Sequence, residues 1–110
     1  MAKATAAEDF DRFFDLNTDF HEIYLGRSDN KRLLAQVHLL KQRLTDWPRR
    51  KPLLNSWEAS CLSEHETFIS FLEKGRIPEA AAHIQDVHWS FAVQEKYIHQ
   101  YYFASQPAER

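Results

Sequence analysis

Apolar residues recur along the chain at steps of three and four, and few positions break that rhythm. Phe10, Phe13, Asn17, Phe20, His21 and Tyr24 make one row, and Leu33, Val37, Leu40 and Leu44 a second. Leu54, Trp57, Cys61, His65, Phe68 and Leu72 make a third. The fourth is Ala81, Ile84, His88, Phe91, Glu95, Ile98 and Tyr102. Such spacing marks one face of an α-helix rather than the alternation of a strand. Gly26, the Pro48/Pro52 pair, the Gly75/Pro78 pair and Pro107 punctuate the chain and leave four long stretches between them. Long segments with short joints predict an all-α fold, an antiparallel bundle of about four helices.

The helix ends have their own signals. Thr5 and Glu8 are placed to form a capping box ahead of Phe10, with Gly26 closing that helix. Ser28, Asp29 and Asn30 offer N-caps to the second helix. Asn55 with Glu58 suits the start of the third, unless Pro52 starts it earlier. Pro78 belongs in the first turn of the fourth, where Glu79 meets the positive end of the helix dipole. The expected organisation is a tail and cap over 1–7, one helical domain over 8–104, and a tail over 105–110.

Composition adds limits. The chain has 110 residues, enough for one domain, and 14% of them are aromatic, which implies a bulky interior. Fourteen basic against sixteen acidic residues give a net charge of −2, so no global field draws the chain to nucleic acid. A single cysteine, Cys61, excludes an internal disulfide and a multi-cysteine zinc knuckle. No apolar run approaches a membrane span, and the N-terminal residues do not form a signal peptide. A cytoplasmic location with no membrane contact is expected.

The polar residues inside the apolar rows carry the chemistry. Asn17 and His21 stand four apart on one helical face, while His65 and His88 lie in the third and fourth rows. Neutral imidazoles converging in a bundle core are ligands for zinc, copper or nickel, and an Asn oxygen can join them. The plainer reading makes each a core histidine bonded to a backbone carbonyl or a tyrosine hydroxyl. His38, His83 and His99 fall off the rows or at their margins and are expected in solvent, and Glu95 either shares the inner face with His88 or faces the open end of the bundle. Cys61, one turn before His65, is either a small apolar filler or half of a thiolate–imidazole pair. Neither His-Glu-x-x-His nor Glu-x-x-His occurs, which argues against zincins and di-iron carboxylate bundles. The Arg49-Arg50-Lys51 run reads as a solvated loop.

Taken in order, Asn17-Thr18-Asp19-Phe20-His21, Ser28-Asp29-Asn30, Ser63-Glu64-His65, Gly75, Glu79-Ala80-Ala81 and His88 resemble the C-terminal effector domain of FadR-type GntR transcription regulators, the FCD domain. The resemblance runs over about residues 8 to 95. It implies an Asp and three His holding a divalent cation, zinc or nickel, at the floor of a pocket where a small carboxylate effector docks. Carried onto this chain, the metal ligands are Asn17, His21, His65 and His88. Three departures stand out. Asn17 replaces the Asp with a neutral oxygen, Arg76 stands where the family has Asp after Gly, and His88 comes one residue late. An extra residue in the Arg76–Pro78 loop is the expected cause of the last.

The family's regulators carry a winged helix-turn-helix ahead of this domain. By that resemblance the chain is a fragment or a stand-alone relative, reaching DNA only through a missing N-terminal domain and making no direct nucleic-acid contact. Helices absent from the resemblance leave surface uncovered. Phe14, Trp89, Tyr97, Tyr101 and Phe103 are expected to form an aromatic patch serving a homodimer. Arg43, near the end of the second helix, is a further partner for the effector carboxylate. The function expected is effector sensing, not catalysis. The alternatives are a helical dimerisation or interaction module with structural histidines and no metal, and a small metalloenzyme built on an open three-histidine site.

Overall fold

The computed structural model describes residues 1–46 and 55–103, and every regular element within them is helical. Pro48, Arg49, Arg50, Lys51, Pro52, Leu54 and Pro107 lie outside the described residues, as do the side chains of Leu44 and Tyr102. The chain divides into two compact units, Met1–Pro52 and Leu53–Arg110.

The first unit holds α1 (Ala2–Ala6), α2 (Phe10–Leu25) and α3 (Lys31–Asp46). The expected capping box is not how α2 begins, because Thr5 is already inside α1. Asp9 is the N-cap instead, its side chain accepting the Arg12 N–H at 3.1 Å. Between the two helices Glu8 turns left-handed with φ 55°. There the Glu8 N–H meets the Thr5 carbonyl and the Asp9 N–H the Ala4 carbonyl, the paired bonds of a Schellman turn. Gly26 ends α2 in a right-handed conformation. Asn30 caps α3 by accepting the Leu33 N–H at 3.0 Å, and Ser28 accepts the Asn30 N–H. Phe13 and His21 are buried on α2. The row on α3 behaves differently: Leu33 and Leu40 are more than half exposed and Val37 is half-buried. Helical spacing on α3 therefore marks an apolar face without marking a core.

The second unit holds α4 (Asn55–Glu73), α5 (Ile77–His83), a π turn (Ile84–His88) and α6 (Phe91–Tyr102). Among its described residues the row on α4 is mostly inside: His65 and Phe68 are buried, Trp57 and Cys61 half-buried, and Leu72 faces out. Gly75 ends α4 at φ 69° in a second Schellman turn. In it the Gly75 N–H meets the Leu72 carbonyl and the Arg76 N–H that of Phe71. Pro78 then lies in the first turn of α5, as its fixed φ favours.

The single helix expected from Pro78 to Tyr102 is interrupted. The Trp89 N–H reaches back five residues to the Ile84 carbonyl, closing the π turn. Ser90 then starts α6 by accepting the Val93 N–H, the local bond that makes serine a cap rather than a helix-interior residue. The register moves with the break. Ala80, Gln94 and Tyr101 are buried where Ala81, Phe91 and Glu95 were expected, and those three are exposed. Trp57 locks α6 against α4, stacking on Tyr97 at 5.8 Å and meeting Tyr101 edge-on at 5.7 Å.

Candidate functional site

The second unit brings two of the expected ligands together. His65, from the middle of α4, and His88, from the end of the π turn, face each other with their Nε2 atoms 3.2 Å apart. A π turn absorbs one residue more than an α-helix and is common at functional sites. Here the π turn spans Ile84–His88 and sets His88 at its end. Two imidazole nitrogens bound to one tetrahedral zinc at ~2.0–2.1 Å stand ~3.3 Å apart, so the donor pair has the spacing of adjacent ligands. The same distance fits a single N–H···N hydrogen bond.

Behind the pair lies a buried carboxylate. Glu64, one residue before His65, turns its Oε1 to His88 Nδ1 at 3.3 Å. Its Oε2 accepts from Ser60 Oγ at 3.2 Å, and the Gln94 amide donates to both carboxylate oxygens at 2.7 and 3.2 Å. Burial pushes the Glu64 carboxyl upward. Hydrogen bonding and charge from His88, with the bonds from Gln94 and Ser60, outweigh that and hold it below the usual carboxylate range. Burial first, and then the neighbouring His88, push the His65 imidazole down to about 4. His65 is therefore neutral near pH 7, the form that binds metal.

Cys61 places its Sγ 3.6 Å from His65 Nε2. Burial, with the Glu64 and Glu58 carboxylates, pushes the thiol up to about 12. A group held as the thiol at neutral pH is no nucleophile, so the filler reading of Cys61 fits and the thiolate pair does not. His83, expected in solvent, is half-buried and donates from Nε2 to the Glu64 backbone carbonyl at 2.8 Å. His99 and Glu95 are exposed.

The remaining expected site residues belong to the first unit. Asn17 is half-buried on α2, one turn before the buried His21. His21 Nδ1 lies 2.6 Å from the Tyr24 hydroxyl, and Phe20 meets its ring edge-on at 5.4 Å. Arg43 is exposed in the last turn of α3. His38, as expected, is exposed, and it pairs with Glu22 at 3.0 Å.

The rows of the sequence miss Glu64 and Gln94, and they do not show the role of Trp57. Glu64 sits beside His65 in the quoted Ser-Glu-His motif but off the apolar row, where a carboxylate normally faces water. Gln94 is hidden by the register change at the π turn. Trp57 is in its row, yet nothing in helical spacing tells that its indole N–H is spent on Gln94.

The family model of the FCD domain matches residues 1–89, from α1 to just past His88. The chain belongs to the FCD domain family. No curated protein and no solved structure matches it. FCD domains are ligand-sensing regulatory domains of GntR-type regulators and are not enzymes. In this FCD domain α6, which supplies Gln94, lies beyond the matched residues. No helix among the described residues is long and apolar enough to cross a membrane.

Proposed function

We propose that this FCD domain senses a small organic acid for a cytoplasmic GntR-type regulator, through a divalent cation held by His65, His88, His21 and Asn17. The observation that carries the reading is the His65–His88 pair, with Nε2 atoms 3.2 Å apart and a carboxylate behind the second ring. Metal-ligating histidines commonly donate their other ring N–H to such a carboxylate, which fixes the tautomer and raises ligand basicity. His65 and His88 supply two nitrogens, His21 a third through Nε2 when its Nδ1–H donates to Tyr24, and Asn17 a neutral oxygen. Zinc and nickel suit this donor set. A bound cation supplies Lewis acidity that neutralises and orients a carboxylate without turnover. Arg43 offers a bidentate contact to the same class of ligand.

The domain acts on DNA through a winged helix-turn-helix domain and works as a homodimer. Exposed Trp89, Phe91, Val93 and Phe103 are the apolar residues that support self-association. The expected patch is smaller than its sequence reading, because Tyr101 is buried and Tyr97 is stacked on Trp57. Trp89→Glu is expected to shift the elution volume to that of a monomer, and an unchanged volume removes Trp89 from the interface.

The test of the metal is thermal unfolding of chelator-stripped protein with and without zinc or nickel, beside a His65→Ala/His88→Ala variant. Metal at a hundred times its Kd stabilises by about 2.7 kcal/mol, on the order of ten degrees for a domain of this size. A shift in the wild type that the variant lacks supports the site, and organic acids are then screened against the loaded form. The absence of a shift favours the second reading. In that reading His65 and His88 satisfy each other by one hydrogen bond, and the domain is a dimerisation module without metal.

A further inference from the structure

The polar groups between α4 and α6 have a fixed direction that the chemistry of each partner sets. An indole N–H only donates, so the Trp57 Nε1–H, 3.0 Å from Gln94 Oε1, requires the amide oxygen on that side. The amide nitrogen is then turned to Glu64, with the Val87 carbonyl at 3.1 Å as a further acceptor. Held this way, Glu64 is an acceptor on both oxygens, taking Ser60 and Gln94 as well as His88. The remaining freedom is removed at His88, whose Nδ1 must carry a proton to meet Oε1, leaving Nε2 with its lone pair toward His65.

We propose that Gln94, oriented by Trp57, is the positioning residue of this centre: through Glu64 it holds His88 as the Nδ1–H tautomer, with Nε2 presented to the metal. The inference rests on the metal reading above for its purpose, but its geometry stands in the metal-free protein. Gln94 is 94% shielded from solvent, and among the described residues its side-chain amide bonds to Trp57, Glu64 and Val87. It belongs to α6, the helix that follows the π turn ending at His88. The placement of α6 and the state of the ligand ring are therefore tied. With His88 as the Nδ1–H tautomer, the 3.2 Å separation is met in the metal-free form when His65 donates its Nε2–H to the His88 Nε2 lone pair. Metal binding then requires the His65 proton to move to Nδ1, while His88 keeps its tautomer.

The experiment is ring nitrogen NMR of ¹⁵N-histidine-labelled full chain, without metal and with zinc, on wild type, Gln94→Leu and Trp57→Phe. Trp57→Phe keeps an aromatic ring against Tyr97 and serves if Gln94→Leu does not fold by circular dichroism. In the wild type, His88 is expected as a single Nδ1–H tautomer in both states, with only His65 changing on zinc addition. In either variant, metal-free His88 is expected to become a tautomer mixture and zinc to bind about 10- to 100-fold more weakly, the usual loss when an outer-shell partner is removed. A folded variant whose His88 tautomer and zinc affinity both match the wild type overturns the proposal. Zinc that fails to bind the wild type, with the tautomer change still present in the variants, sinks the metal reading and keeps the positioning role.

Discussion

His21 and His88 are each held at Nδ1, but by partners of opposite kind. The Tyr24 hydroxyl at His21 can donate or accept, so the bond is satisfied with either ring nitrogen protonated. The Glu64 carboxylate at His88 only accepts, and Gln94 and Ser60 keep it that way. The first arrangement holds a ring in place, whereas the second also chooses its proton. The two units differ in the same sense throughout. α3 leaves Leu33 and Leu40 largely in water, while α4, the π turn and α6 close over a connected set of buried polar groups. Buried networks of this sort are costly when incomplete, so the second unit has more to lose from a single substitution.

The sharpest break comes from removing each partner. Glu64→Ala strips the acceptor from His88, Gln94 and Ser60 at once, and buried donors left without partners cost about 3 kcal/mol together. Tyr24→Phe deletes one neutral hydrogen bond and is expected to cost about 1 kcal/mol. Urea unfolding in the presence of chelator measures both, and equal losses would mean that the network is no stronger than the lone pair.

Acid should expose the same difference. In the folded protein His65 titrates at about 4, below its ordinary 6.5, so between those values the unfolded chain binds the extra proton. Stability of the metal-free protein is then full above about pH 6.5 and falls as the pH drops toward 4, by on the order of 3 kcal/mol over the whole window. The depressed Glu64 carboxyl acts in the same direction further down, since its contribution also disappears on protonation. His65→Leu should flatten the loss between pH 6.5 and 4. A wild-type unfolding midpoint that does not move across that range contradicts the neutral, buried state of His65.

Helical periodicity carried the all-α class and placed His21 and His65 at buried positions and His88 beside His65, while cap signals marked the end of α2 at Gly26, the start of α3 at Asn30 and the end of α4 at Gly75. It failed where the period itself changes. One residue taken up in the π turn moved the inner face from Phe91 and Glu95 to Gln94 and Tyr101. No residue type announces a π turn, although Ser90 is a cap signal that argues against one continuous helix. Glu64 was legible as part of a motif but not as a buried group, because its burial depends on donors from α6 that are distant in sequence. The α3 row shows the converse: its spacing is as regular as that of α4, yet apolar spacing states only which residues share a face. What covers that face is a property of the rest of the fold.

The two Schellman turns make the finest comparison, since the same backbone bonds close α1 and α4 with different residues at the left-handed position. Gly75 adopts φ 69° with no side chain to strain, while Glu8 holds φ 55° with one. A Cβ on residue 75 would meet nothing within 4 Å, so the backbone alone decides the outcome there. Left-handed geometry costs an L-residue roughly 1–2 kcal/mol, less part of what glycine's freer unfolded chain gives back. Glu8→Gly is therefore expected to stabilise the first unit by about 0.5–1 kcal/mol, and Gly75→Ala to destabilise the second by about 1 kcal/mol. Unfolding midpoints of the two variants should move in opposite directions. If Glu8→Gly does not stabilise, the carboxylate at residue 8 contributes an interaction that offsets its backbone strain.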